Sequence, residues 1–302
     1  MNLKAAAALA ALAFSVVCAD ARTFAELFPG KTFENTKAQQ FVESLNYQDG
    51  SIPLGDAGVK IKVPSGFYFL SQADARRVLT EAWGNPPAAA ARVLGMIMPA
   101  SKTPLDDSWG AVITFDADGY VSDEDADKID YTSLLKDMQE STASANEERV
   151  KQGFPAIRLV GWASQPYYDR AEHKLHWAKE LEFGDQKQHT LNYDVRALGR
   201  KGVLKINFVA GIDQLDEIKS IIPSVMAMPE FDAGSRYADF VPGADKVAAY
   251  GIGGLIAGKV LSKLGLLAIA LAFLKKGWIV VVLALGGLWR LLGRFLGRKA
   301  ES

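Results

Sequence analysis

The chain is apolar at both ends and charged in between, and this pattern limits what it can be more than any motif does. Residues 1–21 carry Lys4, an apolar stretch over residues 5–17, and Ala19-Asp20-Ala21, with small residues at the two positions a signal peptidase reads. The apolar stretch is too short to span a bilayer. The segment therefore reads as a signal peptide cut after Ala21, while Val17-Cys18-Ala19 offers a cut after Ala19. Cys18 is the single cysteine of the chain. The processed protein would then have no disulfide, thiolate nucleophile or cysteine metal site, and its core alone must hold it.

Residues 246–302 read as a membrane tail with a basic end. Residues 277–289 carry no charge. Extended through Leu296 the run reaches about 20 residues, enough to span with Arg290 and Arg294 snorkelling to the interface. Trp278 and Trp289 stand where interfacial aromatic residues belong. The preceding stretch, 247–274, is apolar but holds Lys259 and Lys263, and a mid-bilayer lysine costs roughly 2.5–3.5 kcal/mol. A single span is expected, with a helical hairpin turning at Lys275-Lys276 as the alternative. Gly254 and Gly258 form a GxxxG pair, a candidate contact for a homo-oligomer.

Charge follows the same division. Residues 22–245 hold 24 Lys and Arg against 33 Asp and Glu, a net of −9; residues 246–302 hold 9 against 1, a net of +8. The acidic part argues against nucleic acid as a partner. The basic end favours the cytoplasmic side and anionic lipid heads. The expected organisation is thus a signal peptide (1–21), an exported domain (22–245, with a candidate division near 150) and a tail (246–302) in the lipid bilayer.

Periodicity and breakers predict an α+β domain: an antiparallel sheet with helices packed on one face, followed by the transmembrane helix or hairpin. Helices are expected over 37–45, from a Ser71/Asp74 capping box through Ala82, from Tyr131, and over 213–222 with Pro223 ending the last. Strands are expected over 59–63, 66–70 and 109–115, and a hairpin over 47–54 turning at Asp49-Gly50. Four further strands, 156–164, 173–183, 190–198 and 203–210, are joined by loops so short that neighbours must be antiparallel.

Several motifs resemble one bacterial family. They include Gly84-Asn85-Pro86-Pro87, Ser108-Trp109-Gly110, the run 118–126 (DGYVSDEDA), Gly161-Trp162-Ala163, Pro166-Tyr167-Tyr168-Asp169, the run 173–181 (HKLHWAKEL), Leu191-Asn192-Tyr193, the run 198–204 (LGRKGVL) and the run 236–240 (RYADF). On these the chain is identified as a member of domain-of-unknown-function family 2167, predicted bacterial membrane-anchored proteins. The resemblance implies an envelope protein of unassigned activity; the two ends and the charge split add the expectation of an inner-membrane protein with its main domain in the periplasm and its C-terminus in the cytoplasm. The resemblance implies no catalytic residue. The sheet-then-helix ending also resembles the PsbP and Mog1-like fold.

Two constellations stand out. Residues 114–125 match a calcium loop in register, with Asp116, Asp118, Asp123 and Asp125 as oxygen donors and Gly119 at the sharp turn. Thr114 stands where the first ligand should be an aspartate, and Asp125 where the last should be a glutamate. The alternative is a solvated Asp-Gly turn whose carboxylates precede the helix at Tyr131. Trp162, Tyr167, Tyr168, Asp169 and Trp177 form either a recognition surface or an aromatic core with its polar edges bonded. His173 and His176, read on one strand, point to opposite faces and share no metal. No nucleophile elbow, phosphate loop or dinucleotide fingerprint is present. The expected function is that of a protein-interaction or structural module of the cell envelope with an envelope protein as partner. A hydrolase or calcium-dependent protein using the acidic run 116–127, and a membrane-remodelling protein acting through its tail, are the alternatives.

Overall fold

The computed structural model describes residues 20–258. The expected signal peptide up to residue 19, and the anchor residues Trp278, Trp289, Arg290 and Arg294, lie outside the described residues. Among the described residues no helix is long and apolar enough to cross a membrane.

In chain order, β1 is Asp20–Arg22, α1 Phe24–Leu27, α2 Thr36–Glu43, β2 Tyr47–Pro53, β3 Val59–Val63, β4 Phe67–Ser71 and α3 Gln72–Arg77, which continues as a π turn over Val78–Ala82. Then come α4 (Pro87–Ala90), β5 (Val93–Pro99), β6 (Gly110–Asp116), α5 (Tyr131–Lys151), β7 (Ile157–Asp169), β8 (Lys174–Phe183), β9 (Thr190–Leu198) and β10 (Val203–Gly211). The described chain closes with α6 (Leu215–Met226), β11 (Pro229–Phe231) and α7 (Ile252–Ala257). The strands form one sheet in the order β11-β3-β2-β4-β5-β6-β10-β9-β8-β7, with β1 paired to β2. Every ladder is antiparallel.

The β6–β10 ladder, from Val203 opposite Asp116 to Val209 opposite Gly110, joins the two halves of the chain. A division near residue 150 therefore has no counterpart in the sheet. The long edge strand β7 is protected by Pro166 and by three register shifts against β8. Part of its free edge is covered by α5, where Gln139 donates to the Leu159 and Val160 carbonyls and Asn146 pairs with both backbone groups of Ile157.

Helices cover both faces, not one, because alternation along every central strand supplies apolar side chains to each. On one face Phe69, Ile97, Ile113, Val195, Ile206 and Phe208 pack against Ile218, Ile222 and Val225 of α6. On the other, Tyr68, Leu70, Met96 and Met98 meet Phe24, Phe28, Val42 and Ala75 of α1, α2 and α3. Further along that second face, Leu175, Trp177, Leu198 and Val203 meet Leu134 of α5 and Ile252, Leu255 and Ile256 of α7. Burying each such side chain contributes roughly 1.5–3 kcal/mol.

Three local expectations are corrected. The segment 47–54 is not a hairpin: β2 runs straight through Asp49-Gly50, pairing first with β1 and β4 and then with β3. Gly50, at φ +81°, supplies the bend at which the strand changes partners. Pro223 does not end α6; it is exposed, its missing N–H falls on the solvent side, and burial of Val225 and Met226 carries the helix on to Met226. Lastly, the apolar segment after Asp245 does not begin a tail at once. Tyr120 and Val247 form a β-bridge, and α7 is part of the core. Gly254 lies against Tyr250, within this packing.

Candidate functional site

The acidic run is dispersed over separate partners. Asp116 ends β6, is buried, and takes Arg92 at 2.8 Å and Lys205 at 3.2 Å. Asp118 accepts a hydrogen bond from the Tyr250 hydroxyl at 2.7 Å. Asp123 accepts one from Tyr168 at 2.7 Å, with Arg170 and His173 each 3.8 Å away. Asp125 accepts from the Ile252 and Gly253 amides at 2.8 and 3.1 Å, capping α7. Among the described residues no three His, Cys, Asp or Glu side chains are grouped to hold a metal ion. The carboxylates do not converge because each is drawn to a donor on a different element.

What the loop does hold is the segment leading into α7. The Tyr120 amide donates to the Lys246 carbonyl and the Ala248 amide to the Tyr120 carbonyl, both at 2.8 Å. Gly119 sits at φ +107°, and a Cβ there would overlap the Lys246 carbonyl. Gly251 approaches the Asp125 carboxylate as closely. Burial and then Asp118 push the Tyr250 hydroxyl above its ordinary range, which keeps it a donor. The acidic run is thus a clasp on residues 246–253.

The aromatic group is spread from the interior to the surface. Trp177 is buried, with the Arg196 guanidinium 4.7 Å above its ring; Trp162 is half-buried and donates to the Tyr131 carbonyl. Tyr168 is tied to Asp123, and burial and that bond push its hydroxyl up. Asp169 accepts from the Ala171 and Glu172 amides and shapes the turn before β8. Tyr167 alone of the group is largely exposed, at 63 %. Of the five, Trp177 faces the interior, while Trp162, Tyr168 and Asp169 are half-buried. His173 lies in the turn, at φ +50° and against the Tyr237 ring, while His176 lies within β8.

A different site lies between the two helical layers of the second face. There Lys179 of β8, Asn192, Asp194 and Arg196 of β9, and Lys205 and Asn207 of β10 form the floor of a cleft of about 590 Å³. The registers place them side by side: Lys179 faces Asn192, Asn207 faces Asp194, and Lys205 faces Arg196. Trp83 and Leu79 stand on one side, Phe183 and Pro155 on the other, and Arg149 of α5 lies at the rim. Asp194 is fully buried. Its Oδ1 accepts from Arg196 at 2.8 Å and Asn207 at 2.9 Å. Its Oδ2 pairs with the Lys179 ammonium 3.0 Å away. Burial works to raise the Asp194 carboxyl, but Lys179 and Arg196 outweigh it and hold it below the ordinary carboxylate value. Burial, then Arg196, push the Lys205 ammonium down.

The sequence reading missed this cleft. Asn192, Asp194 and Arg196 form the polar phase of an alternating strand, which reads as a solvent face. Helices flanking that face enclose it.

The fold and cleft define the class: an antiparallel α+β domain with α6 on one face and a polar cleft between two helical layers on the other. The chain belongs to the family described as protein of unknown function (DUF2167), matched over residues 46–286. The comparison with curated proteins finds no match. Among solved structures, cyanobacterial PsbP from Synechocystis sp. PCC 6803 is similar at 14 % identity, covering 59 % of this chain and 88 % of that one, with a TM-score of 0.32. The Saccharomyces cerevisiae Ran-binding protein Mog1p is similar at 9 % identity, covering 66 % and 100 %, also at 0.32. Likeness at that level carries no argument about function.

Proposed function

We propose that this protein is a membrane-anchored envelope protein, an interaction or structural module that faces the periplasm and is held at the inner membrane by a C-terminal helix. The observation that supports this reading is the clasp. Asp118, Gly119, Tyr120 and Asp125 grip residues 246–253, where the apolar C-terminal part of the sequence begins. A domain gripping the root of its own tail is suited to hold a set orientation at a surface, and the split between −9 and +8 suits opposite sides of one bilayer.

The test is a pair of reporter fusions, one active only in the periplasm and one only in the cytoplasm. The junctions belong after Gly258, which keeps α7 in the core, and after Ser302. Periplasmic signal at Gly258 with cytoplasmic signal at Ser302 is expected. Periplasmic signal at both would replace the single span by a hairpin, and cytoplasmic signal at Gly258 would overturn the periplasmic assignment.

A further inference from the structure

We propose that the cleft between the helical layers is a binding site for a small molecule with an oxyanion head, carboxylate or phosphate. The first argument is placement. The same sheet face is apolar on both flanks, at Leu70, Met96 and Met98 on one side and Leu175, Leu198 and Val203 on the other. Between them it turns polar over four adjacent strands, from Thr114 of β6 to Lys179 of β8. Apolar residues there would join the two flanks into one core. Buried charges are weak contributors to stability and frequently worse than apolar replacements, so stability alone does not account for this floor.

The second argument is charge. Arg149, Lys179, Arg196 and Lys205 line the cleft against one carboxylate, Asp194. Adding Asp116 with both its partners, Lys205 and Arg92, makes five cations against two carboxylates. This surplus sits inside a domain of net charge −9. Low-dielectric walls such as Trp83, Val112 and Phe183 strengthen its field on anything that enters.

The third argument is unused hydrogen-bonding capacity. The side chains of Thr114, Thr190 and Asn192 face the cleft and bond to nothing among the described residues. These half-exposed groups are open to water or to a ligand. Here lysine and arginine supply the charge for the oxyanion, and the hydroxyls and the amide donate hydrogen bonds to its oxygens. The volume of about 590 Å³ is that of a small-molecule pocket.

The test uses the full-length chain in detergent, titrated with sodium phosphate and with sodium citrate, each against sodium chloride at equal ionic strength. Heat of binding and melting temperature are read together. Asn192→Leu and Thr190→Val remove floor groups that bond to nothing in the protein, so neither should lower the melting temperature of the unliganded chain. Saturable binding that weakens at least tenfold in either variant is expected. Response to phosphate alone identifies a phosphate head, to citrate alone a carboxylate head, and to both an unselective oxyanion site. No saturable heat beyond chloride, or binding undiminished in both variants, would overturn the proposal.

Discussion

At Gly119 two requirements meet in one residue. Its φ of +107° is open to glycine, and the Lys246 carbonyl occupies the space of a Cβ. Gly119→Ala should cost about 1–3 kcal/mol and loosen the clasp, seen as a lower denaturation midpoint and faster amide exchange over residues 246–257. A midpoint within error of wild type would show that the loop does not bear on the fold. His176 sets a pH response. Burial, and then Lys174, hold its imidazole pKa below the usual 6.5 against the pull of Asp169. The unfolded chain therefore takes up the proton first as pH falls, so this contribution is whole above about 6.5 and declines below it toward the folded-state pKa. Denaturation midpoints at pH 7.5 and 5.5 should differ, and His176→Gln should narrow the gap; an unchanged gap would assign it to another group. The residues of the acidic run were visible as a motif, but their targets were not. Tyr250 lies 132 residues from Asp118, and Ile252 lies 127 from Asp125. Local spacing carries no information about partners so distant.

Legibility of the elements depended on how many of their faces are buried. Strands β7 to β10 and helix α6 follow from alternation and amphipathic spacing, since each has one face differing from the other. Strand β5, VLGMIMP, stayed invisible: it is buried on both faces and has no alternation to read. Gly50 misled for a related reason, since a positive φ serves a bend inside a strand as well as a hairpin turn. Strand β1 bears on processing. Its pairing, from Asp20 opposite Asp49 to Arg22 opposite Tyr47, needs all three residues, and a cut after Ala21 would leave one of them. On the exported reading, the mature chain should therefore start at Asp20, from a cut after Ala19. Intact mass of the processed protein decides this, and a mass starting at Arg22 would show that the strand is dispensable.

The whole molecule is organised around a ladder that the chain order hides. Asp116, the end of β6, and Val203, the start of β10, lie 87 residues apart, yet the two strands pair near the centre of the sheet. Fragments 20–150 and 151–258 should each fail to fold alone, showing poor amide dispersion, and should regain it when mixed. Independent folding of either would restore a division near 150. From the sequence alone came the apolar ends, the charge split, the antiparallel second half and the family, because each is a property of contiguous residues. The tertiary structure alone decided that helices cover both faces, that the acidic run clasps residues 246–253, and that a polar cleft lies between the helical layers. These depend on which distant elements share a face, and no local pattern of side chains encodes that.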